Sequence, residues 1–376
     1  MYQISFLLFF LYIIETCSGL TLNLHDSSIA KPHHTLELHP IENHPTYPNS
    51  SRRLRNVREL SDEKSADVTP LYQGYGTHFS YIYVGTPPQR QSVIVDTGSH
   101  WTAFPCTGCK DCGKHTDNYW DMGKSSTAKT VDCGGTACSI SQSYAEGSSW
   151  NAIELKDKLY VGGIDTTTVT RGQDYSVDFK FGCQTSETGL FRTQLADGIM
   201  GFSMHQDALP AQLHSQKVVN TRMFAMCFRQ GGGVLTLGGV HQGLHTPIEY
   251  KNSANKVIFS LPETVAYAKL THPPGSFWHT INLIEVKLQH RESGEYSSVS
   301  TDKKVLNSGK GIIVDSGTTD TFLPSALKNQ FAKIFKSISG HAYSDKDMKL
   351  TSAQVALMPN IIFTIEGLDG KPMDII

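Results

Sequence analysis

The chain has 376 residues, of which 39% are hydrophobic, and this length is sufficient for two domains with separate hydrophobic cores. Its 33 basic and 35 acidic residues nearly balance, and no basic patch alternates with aromatic residues, so the composition does not indicate a nucleic-acid-binding protein. After residue 19, no apolar run reaches the length of a membrane-spanning helix.

The amino terminus predicts a secretory signal peptide. Residues 4–14 are almost wholly apolar but too few to span a bilayer, and Cys17-Ser18-Gly19 follow them, so we expect residues 1–19 to be removed by cleavage after Gly19. No Lys or Arg precedes the run, and an uncleaved anchor is the alternative. The expected location is the secretory pathway, either in the endomembrane system (ER or Golgi) or outside the cell.

Residues 20–68 have the composition of a pro-segment. They contain five histidines, scattered Pro and Ser, and the basic stretch 52–58, which offers a processing site near Arg53 or Arg55. A cationic segment of this kind can cover an anionic active site until it is released. A disordered basic linker is the alternative. The glycosylation candidate Asn49, in Asn49-Ser50-Ser51, lies inside this segment.

The remaining chain reads mainly as strands. Apolar runs that stop at Gly or Pro predict strands at residues 80–84 and 234–237 and a strand leading into Asp96, and an alternating pattern covers residues 281–288. Only two helices are predicted, from Leu323-Pro324 to a stop at Gly340 and from Leu209-Pro210 to about Val219. The predicted class is therefore all-β with few short helices and two lobes.

An internal repeat carries the chemistry of the chain. D-T-G-S-H-W-T-A-F-P at residues 96–105 matches D-S-G-T-T-D-T-F-L-P at residues 315–324, and each copy follows an apolar run that predicts a buried strand. The repeat supplies one carboxylate per lobe, Asp96 and Asp315. Two carboxylates brought together can carry out acid–base hydrolysis of a peptide bond. Two ordinary strand-end turns that contain Asp are the alternative interpretation.

At these residues the chain resembles the pepsin-like aspartic proteases, over about residues 70–375. Within that family it is most similar to the plasmepsin V branch of endomembrane proteases. Residues 104–113 resemble that branch's cysteine-rich insert, expected at about residues 106–138, and residues 142–148 resemble its flap. The resemblance implies a bilobal pepsin-like fold with the active-site cleft between an N-terminal catalytic lobe (residues 69–243) and a C-terminal catalytic lobe (residues 244–376).

The resemblance also implies the role of each site residue. Asp96 and Asp315 match the catalytic pair. The loop-supporting residues are Thr97 and Ser316, which cross-brace the loops, Gly98 and Gly317, which permit close approach, and Ser99 and Thr318, which bond the outer carboxylate oxygens. The substrate-binding flap comprises Tyr144, Gly147 and Ser148, and Ile199-Met200-Gly201 matches the strand that supports the first loop.

The implied mechanism follows from electrostatics. Two neighbouring carboxyls cannot both be charged, so they share one proton and titrate as a pair. The ionised partner activates a water molecule and the protonated partner bonds the scissile carbonyl, without a cofactor, a metal or a covalent intermediate. The expected partners are extended protein or peptide substrates, held by main-chain hydrogen bonds under a closing flap, and the enzyme is expected to be a monomer.

The cysteines predict disulfides. Removal of Cys17 with the signal leaves an odd number of disulfide candidates: Cys106, Cys109, Cys112, Cys133, Cys138, Cys183 and Cys227. We expect Cys227 to pair with a cysteine beyond Ile376 and the other six to cross-link the insert and its neighbourhood, with connectivity open. A zinc site at the Cys-x2-Cys-x2-Cys run is the alternative.

Two departures from the family pattern bear on activity. The resemblance implies a second apolar-apolar-Gly strand after Asp315, and no match precedes Ile376, so the C-terminal lobe is expected to be incomplete and any membrane anchor to lie beyond that residue. Pepsins usually place a Trp seven residues after the first Asp, where it bonds the flap Tyr. That position is Ala103, although Trp101 lies nearby.

Three functions are compared. The leading hypothesis is an aspartic endopeptidase of the secretory pathway. The second is a catalytically impaired peptide- or inhibitor-binding protein on the same fold, which the missing strand favours and the two intact motifs oppose. The third, a metal-dependent hydrolase, lacks a His-Glu-x-x-His motif.

Overall fold

The structure, a computed structural model, describes residues 2–4, 67–229, 231–239, 248–251, 257–261, 267–271, 273, 275–346 and 348–376. The predicted pro-segment with Asn49, most of the predicted signal peptide and the predicted lobe boundary at residues 243–244 lie outside the described residues. The chain divides into two compact units, Ile13–Glu263 and Thr264–Ile376 with Met1–Tyr12.

Strands predominate throughout, as predicted. Within the described residues they are, in chain order, β1 Tyr2–Ile4, β2 Asp67–Gln73, β3 His78–Val84, β4 Gln89–Asp96, β5 Thr102–Lys110, β6 Lys129–Thr130, β7 Ser139–Ser143, β8 Ser149–Gly162, β9 Val177–Thr188, β10 Gly198–Gly201, β11 Phe224–Arg229, β12 Gly232–Leu237, β13 Ile248–Lys251, β14 Val257–Leu261, β15 Thr280–Ile281, β16 Leu283–Gln289, β17 Tyr296–Ser300, β18 Ile312–Ile313, β19 Thr321–Leu323, β20 Asn360–Glu366 and β21 Pro372–Ile375.

The helices are short. The described α-helices are α1 Thr166–Gln173, α2 Leu209–Ser215, α3 Lys303–Leu306, α4 Lys328–Ser339 and α5 Ser352–Ala356, and single 3₁₀ turns occupy Met122–Lys124, Gly189–Arg192 and Ser325–Leu327. None of the helices in this part of the chain has the length and apolar character needed to cross a lipid bilayer.

The larger unit is organised around one sheet. In the described residues its eleven strands run in the order β11-β12-β2-β3-β4-β10-β5-β9-β8-β6, with β7 added to β8 and a further pairing between β3 and β8. The strand β4 lies inside this sheet and is parallel to β10. Its residues Val93, Ile94 and Val95 are all buried, because both faces of the sheet are covered here.

An aromatic stack forms the centre of the larger unit's core. The rings of Phe104 and Phe181 stack with centroids 4.8 Å apart, and Trp120 meets Phe181 edge-on at 5.2 Å. All three side chains are fully buried, and the Trp120 indole donates its N–H to the carbonyl of Val84 at 3.0 Å. The stack therefore ties the start of the predicted insert to β5 and β9.

The smaller unit packs one amphipathic helix against a sheet. The strands run in the order β17-β16-β20-β21, and α4 contributes Phe331, Ile334 and Phe335 to the core they share. Gly340 adopts φ 72° and ends this helix, which confirms the predicted stop. Two further antiparallel pairs belong to the unit, β1 with β19 and β15 with β18.

Several predicted elements require correction. The helix that begins at Leu209 ends at Ser215 rather than near Val219, because Lys217 adopts φ 59° and turns the chain. The prediction of only two helices is wrong, because α1 forms from a Thr-rich segment without apolar periodicity. Its N-cap Asp165 accepts the backbone N–H of Thr168, which stabilises the helix locally.

The predicted strand at residues 281–288 is interrupted at Asn282, so that β15 and β16 join different sheets. The apolar run before Asp315 also differs from the prediction of a buried strand. Only Ile312 and Ile313 form a strand, and Val314 is 51% exposed. The strands predicted at residues 80–84 and 234–237 and before Asp96 are confirmed as β3, β12 and β4.

We expect replacement of Phe181 by Ala to lower the free energy of unfolding by about 3–5 kcal/mol, because it would open a cavity between Phe104 and Trp120. Urea unfolding followed by tryptophan fluorescence measures this change. Tyr75, which is 74% exposed, provides the control, and Tyr75→Ala should change stability by less than about 0.5 kcal/mol. Equal effects of the two substitutions would contradict the assignment of the core.

Candidate active site

The first catalytic-loop motif folds around its own carboxylate. Asp96 is the last residue of β4 and is buried. Its Oδ1 accepts the backbone N–H of Gly98 at 2.8 Å, and its Oδ2 accepts the hydroxyl of Ser99. Because one side-chain oxygen faces a backbone donor and the other a hydroxyl, the carboxylate is held in one orientation.

The strand β10 supports this loop from one side. It pairs with β4 so that Met200 lies opposite Val95 and Gly201 opposite Asp96. Beyond the strand, Phe202 donates its N–H to the carbonyl of Asp96 at 2.7 Å, and Ser203 donates to the carbonyl of Ser99 at 3.0 Å. The loop backbone is thus hydrogen-bonded to the residues after β10 at two points, at Asp96 where it begins and at Ser99 where it turns.

Gly201 is needed for this close approach. A Cβ at this position would lie 2.3 Å from the carbonyl carbon of His100 and 2.4 Å from its Cα. Both are backbone atoms of the loop itself, so a side chain at residue 201 would push the loop away from β10.

The second motif repeats the same local bonds in the smaller unit. Asp315 Oδ1 accepts the backbone N–H of Gly317 at 2.8 Å, and Oδ2 accepts the hydroxyl of Thr318 at 2.6 Å. Its surroundings differ, because Thr318 is exposed and Asp315 is only partly buried. In the part of the chain that the structure describes, no strand is paired with residues 314–317 as β10 is paired with β4.

The predicted flap is the hairpin of β7 and β8. Tyr144 donates its backbone N–H to the carbonyl of Ser148 at 2.9 Å, and Gly147 turns the chain with φ 96°. Ser148 is buried, and its hydroxyl accepts the N–H of Leu190 at 2.9 Å. Tyr144, Gly147 and Ser148 therefore belong to one turn, as the prediction of a flap requires.

The side chain of Tyr144 points towards the first motif. The Trp150 indole donates a hydrogen bond to the Tyr144 hydroxyl at 3.2 Å, and the Phe191 ring lies 5.1 Å from the Tyr144 ring. Burial, with a smaller contribution from the Asp96 carboxylate, raises the pKa of Tyr144 above its ordinary value of 10.0, so the phenol stays neutral at physiological pH.

Trp150 was not predicted as part of the site. Ala103 occupies the position where a Trp was expected, and Trp101 is the nearer residue in sequence, yet Trp150 supplies the indole N–H. The sequence offered one signal for this residue: Trp150 follows Tyr144 by six residues and lies on the second strand of the predicted hairpin. Even-numbered positions of β8 near its start share one face, because side chains alternate along a strand.

A neutral histidine follows the first motif. The His100 ring lies 4.2 Å from that of His205, centroid to centroid. Burial, together with repulsion from His205, lowers the pKa of His100 to about 4, although Asp207 acts in the opposite direction. His100 therefore adds no positive charge beside the Asp96 loop above about pH 5.

Disulfides link the predicted insert to the sheet. Cys106 bonds Cys183, and the pairs Cys109–Cys112 and Cys133–Cys138 close short loops. All three cysteines of the predicted zinc run are thus engaged in disulfides, so the zinc alternative is wrong. Cys227 is also disulfide-bonded, and its expected pairing with a cysteine beyond Ile376 stays a prediction.

Comparison with known proteins finds one matching family and several similar relatives. Residues 78–239 match the family described as "Xylanase inhibitor N-terminal". "Aspartic protease 5" of Toxoplasma gondii is 37% identical over 201 residues, which cover 44% of this chain and 20% of the relative. "Plasmepsin V" of Plasmodium falciparum is 26% identical over 307 residues, 68% of this chain and 48% of the relative.

A third relative, "Aspartyl protease AED1" of Arabidopsis thaliana, is 25% identical over 339 residues, 84% of this chain and 66% of the relative. The matched region thus spans from one fifth to about two thirds of the length of these relatives. The names of the first and third of these relatives describe an aspartic protease and an aspartyl protease.

We expect Gly201→Ala to destabilise the larger unit by about 3 kcal/mol, at the upper end of the range for overpacking, because the new Cβ meets backbone rather than a movable side chain. Chemical denaturation provides the measurement. Gly123→Ala is the matched control, since its Cβ would have only the Asp121 carboxylate oxygen nearby, at 3.2 Å. A Gly201→Ala protein as stable as the control would show that the loop can retreat from β10 without loss.

Proposed function

We propose that this chain is an aspartic-type endopeptidase of the pepsin-like family, of the plasmepsin V-like type, that hydrolyses protein or peptide substrates. Asp96 and Asp315 are its catalytic pair. The observation that carries this proposal is that the two carboxylates accept the same pair of local hydrogen bonds. Each Asp accepts the N–H of the Gly two residues later and the hydroxyl of the Ser or Thr three residues later.

The proposed mechanism uses the two carboxyls in different protonation states. The bonds from Gly98 and Ser99, and from Gly317 and Thr318, leave each carboxylate one preferred orientation. One ionised carboxylate removes a proton from a water molecule that both carboxyls hold, and the protonated partner donates to the scissile carbonyl oxygen. Their apparent pKa values then belong to the pair rather than to either residue.

The flap supplies cover for the substrate in this proposal. Tyr144 is held by Trp150 and lies near the Asp96 loop, so closure of the β7–β8 hairpin over a bound peptide would exclude water from the reacting centre. Thr97 and Ser316 would brace the two loops, and Gly98 and Gly317 would allow their approach.

The secretory pathway is the proposed location. Three disulfides among the described residues support it, because disulfides persist in oxidising compartments and are rare in the cytosol. The apolar segment at residues 4–14 has the length of a signal sequence. Within this proposal, residues 1–19 are the signal peptide and residues 20–68 the pro-segment. The second candidate, a non-catalytic binding protein, is not favoured, because both Asp motifs keep their full set of local bonds.

We expect Asp96→Asn and Asp315→Asn each to lower peptide cleavage by about a thousandfold or more, because neither variant can share the proton between two carboxyls. Cleavage of a mixed peptide library, read by mass spectrometry, measures the loss whatever sequence the enzyme prefers. Asp369→Asn, which alters an exposed carboxylate of the smaller unit, should cleave like the unmodified protein. Cleavage that survives either dyad substitution would rule out the proposed pair.

Tyr144→Phe should lower kcat/KM by about tenfold, since the loss of one hydrogen bond in the closed flap corresponds to roughly 1.4 kcal/mol. Tyr83→Phe is the control, because the Tyr83 hydroxyl donates to the carbonyl of Gly163 at 2.7 Å rather than bonding a residue of the flap. Steady-state kinetics on one cleaved peptide compares them. Equal losses in both variants would mean that the Tyr144 hydroxyl acts only through stability.

A further inference from the structure

A segment of the predicted insert is bonded along its length to the chain that precedes β10. The insert arm, residues 113–119, lies on the connector, residues 187–197. Their bonds form a ladder: Gly113 N–H to Glu187 Oε2 at 3.2 Å, His115 Nδ1 to the Gln194 carbonyl at 3.1 Å, the Thr116 hydroxyl to the Leu195 carbonyl at 2.9 Å, and Asp117 N–H to Asp197 Oδ1 at 2.8 Å.

One ion pair lies at the centre of this contact. His115 Nε2 is 3.5 Å from Glu187 Oε2, and the two side chains are 1% and 0% exposed. Glu187 Oε1 has no hydrogen-bond partner within the described residues. Removal of the positive charge would therefore leave a buried carboxylate without its cationic partner, which is strongly unfavourable.

The connector contacts the flap at one end. The Leu190 N–H bonds the Ser148 hydroxyl at 2.9 Å, the Phe191 ring lies 5.1 Å from the Tyr144 ring, and a Cβ on Gly189 would lie 2.6 Å from Ser148 Oγ. Because the connector and the flap are packed this closely, we expect a displacement of the connector to displace the flap as well.

The other end of the connector supports the Asp96 loop. Asp197 immediately precedes β10, and its Oδ2 accepts both the backbone N–H of Ser92, at 2.6 Å, and the Ser92 hydroxyl. Since Ser92 lies on β4, the connector is attached to the strand that carries Asp96 as well as to the strand that supports it.

We infer that His115 and Glu187 are a positioning pair: with His115 protonated they hold the connector, and through it the flap and the Asp96 loop, and deprotonation of His115 releases that hold. This inference rests on the proposed function, because it assigns a task to the flap and the Asp96 loop. The proton passes to solvent, and no covalent bond changes.

The direction of the pH dependence follows from the environment of His115. Burial alone lowers its pKa, but the hydrogen bonds to Glu187 and to the Gln194 carbonyl and the charge of Glu187 outweigh burial and raise the pKa above its ordinary value of 6.5. Because the folded-state pKa exceeds the unfolded one, the pair stabilises fully below about pH 6.5 and its contribution is lost as the pH rises through the folded-state value.

Other titratable or charged groups surround the pair, and the effect of their titration must be distinguished from that of His115. Asp197 lies on the connector and Asp117 on the insert arm. Arg90 of β4 donates a hydrogen bond to the Asp117 carboxylate at 2.8 Å, and the charge of Glu187 acts on the Tyr119 hydroxyl. Burial and the charge of Asp197 raise the pKa of Asp117 against the opposing effect of Arg90, so Asp117 is the group whose titration could be confused with that of His115.

Hydrogen–deuterium exchange tests the inference without any assay of activity. Exchange of peptides that cover residues 139–150 and 187–197 would be measured from about pH 5.5 to about pH 8.5 and corrected for the intrinsic pH dependence of amide exchange. The proteins are the unmodified chain, Glu187→Gln, the double variant His115→Gln with Glu187→Gln, Asp117→Asn, and the control Lys114→Gln, which removes a charge from the same arm.

In the unmodified chain we expect corrected exchange in both peptides to rise about threefold or more, with a midpoint above pH 6.5. Glu187→Gln removes the charge that keeps His115 protonated, and the double variant has no titrating member, so both should lack this step. Asp117→Asn and Lys114→Gln should keep it. The inference is overturned if Glu187→Gln retains the step at the same midpoint, or if the step in the unmodified chain is confined to residues 113–119.

Kinetics then separates this inference from the proposed function. On a peptide whose cleavage is abolished by Asp96→Asn, deprotonation of the dyad lowers kcat/KM at alkaline pH in every variant. The unmodified protein should show an additional fall with the midpoint found by exchange, and Glu187→Gln should lose only that additional fall. If no peptide is cleaved in an Asp96-dependent manner, the proposed function fails, while the exchange experiment still decides whether the pair holds the connector and flap. If amide exchange rises with pH but kcat/KM shows no additional fall at the same midpoint, the pair has only a structural role and its assignment as a positioning pair is overturned.

Discussion

The backbone pairing between β4 and β10 is the constraint on which the first carboxylate depends. It sets Asp96 opposite Gly201, and the bonds from Phe202 and Ser203 continue the contact around the loop. Since Asp96 is buried, its position cannot adjust by moving into solvent, and the loop must follow β10. Whatever displaces β10 therefore displaces the carboxylate, and the glycine at the contact is required because the backbones are nearly touching.

The two halves of the repeat have the same local structure in unequal surroundings. The bonds within each Asp-x-Gly-Ser/Thr motif join residues two and three positions apart, so they form wherever the turn forms. The supporting structure differs: the run before Asp96 is buried within a sheet, whereas Val314 is half exposed and β18 has two residues. The local geometry of a carboxylate and its rigidity thus have separate causes.

The insert has a structural relation to the site that its disulfides alone do not explain. The Cys106–Cys183 bond and the aromatic stack fix the insert to β5 and β9, while Cys109–Cys112 and Cys133–Cys138 close loops within it. Between these covalent ties, the insert arm reaches the connector through hydrogen bonds and one buried ion pair. In the proposal made above, the ion pair is the part of this contact that responds to pH, because disulfides and packed aromatic rings do not titrate near neutral pH.

The sequence by itself determined the strand-rich class, the local bonds of both Asp-x-Gly-Ser/Thr motifs, the hairpin turn at residues 144–148 and the stop of α4 at Gly340, because each depends on residues close together in the chain. Only the tertiary structure decided that Trp150 rather than Trp101 bonds Tyr144, that Cys106 pairs with Cys183, and that His115 meets Glu187. The last two pairs are separated by 77 and 72 residues and meet only through the register of β5, β8 and β9. That register is set by the packing of the whole sheet, which no local pattern encodes.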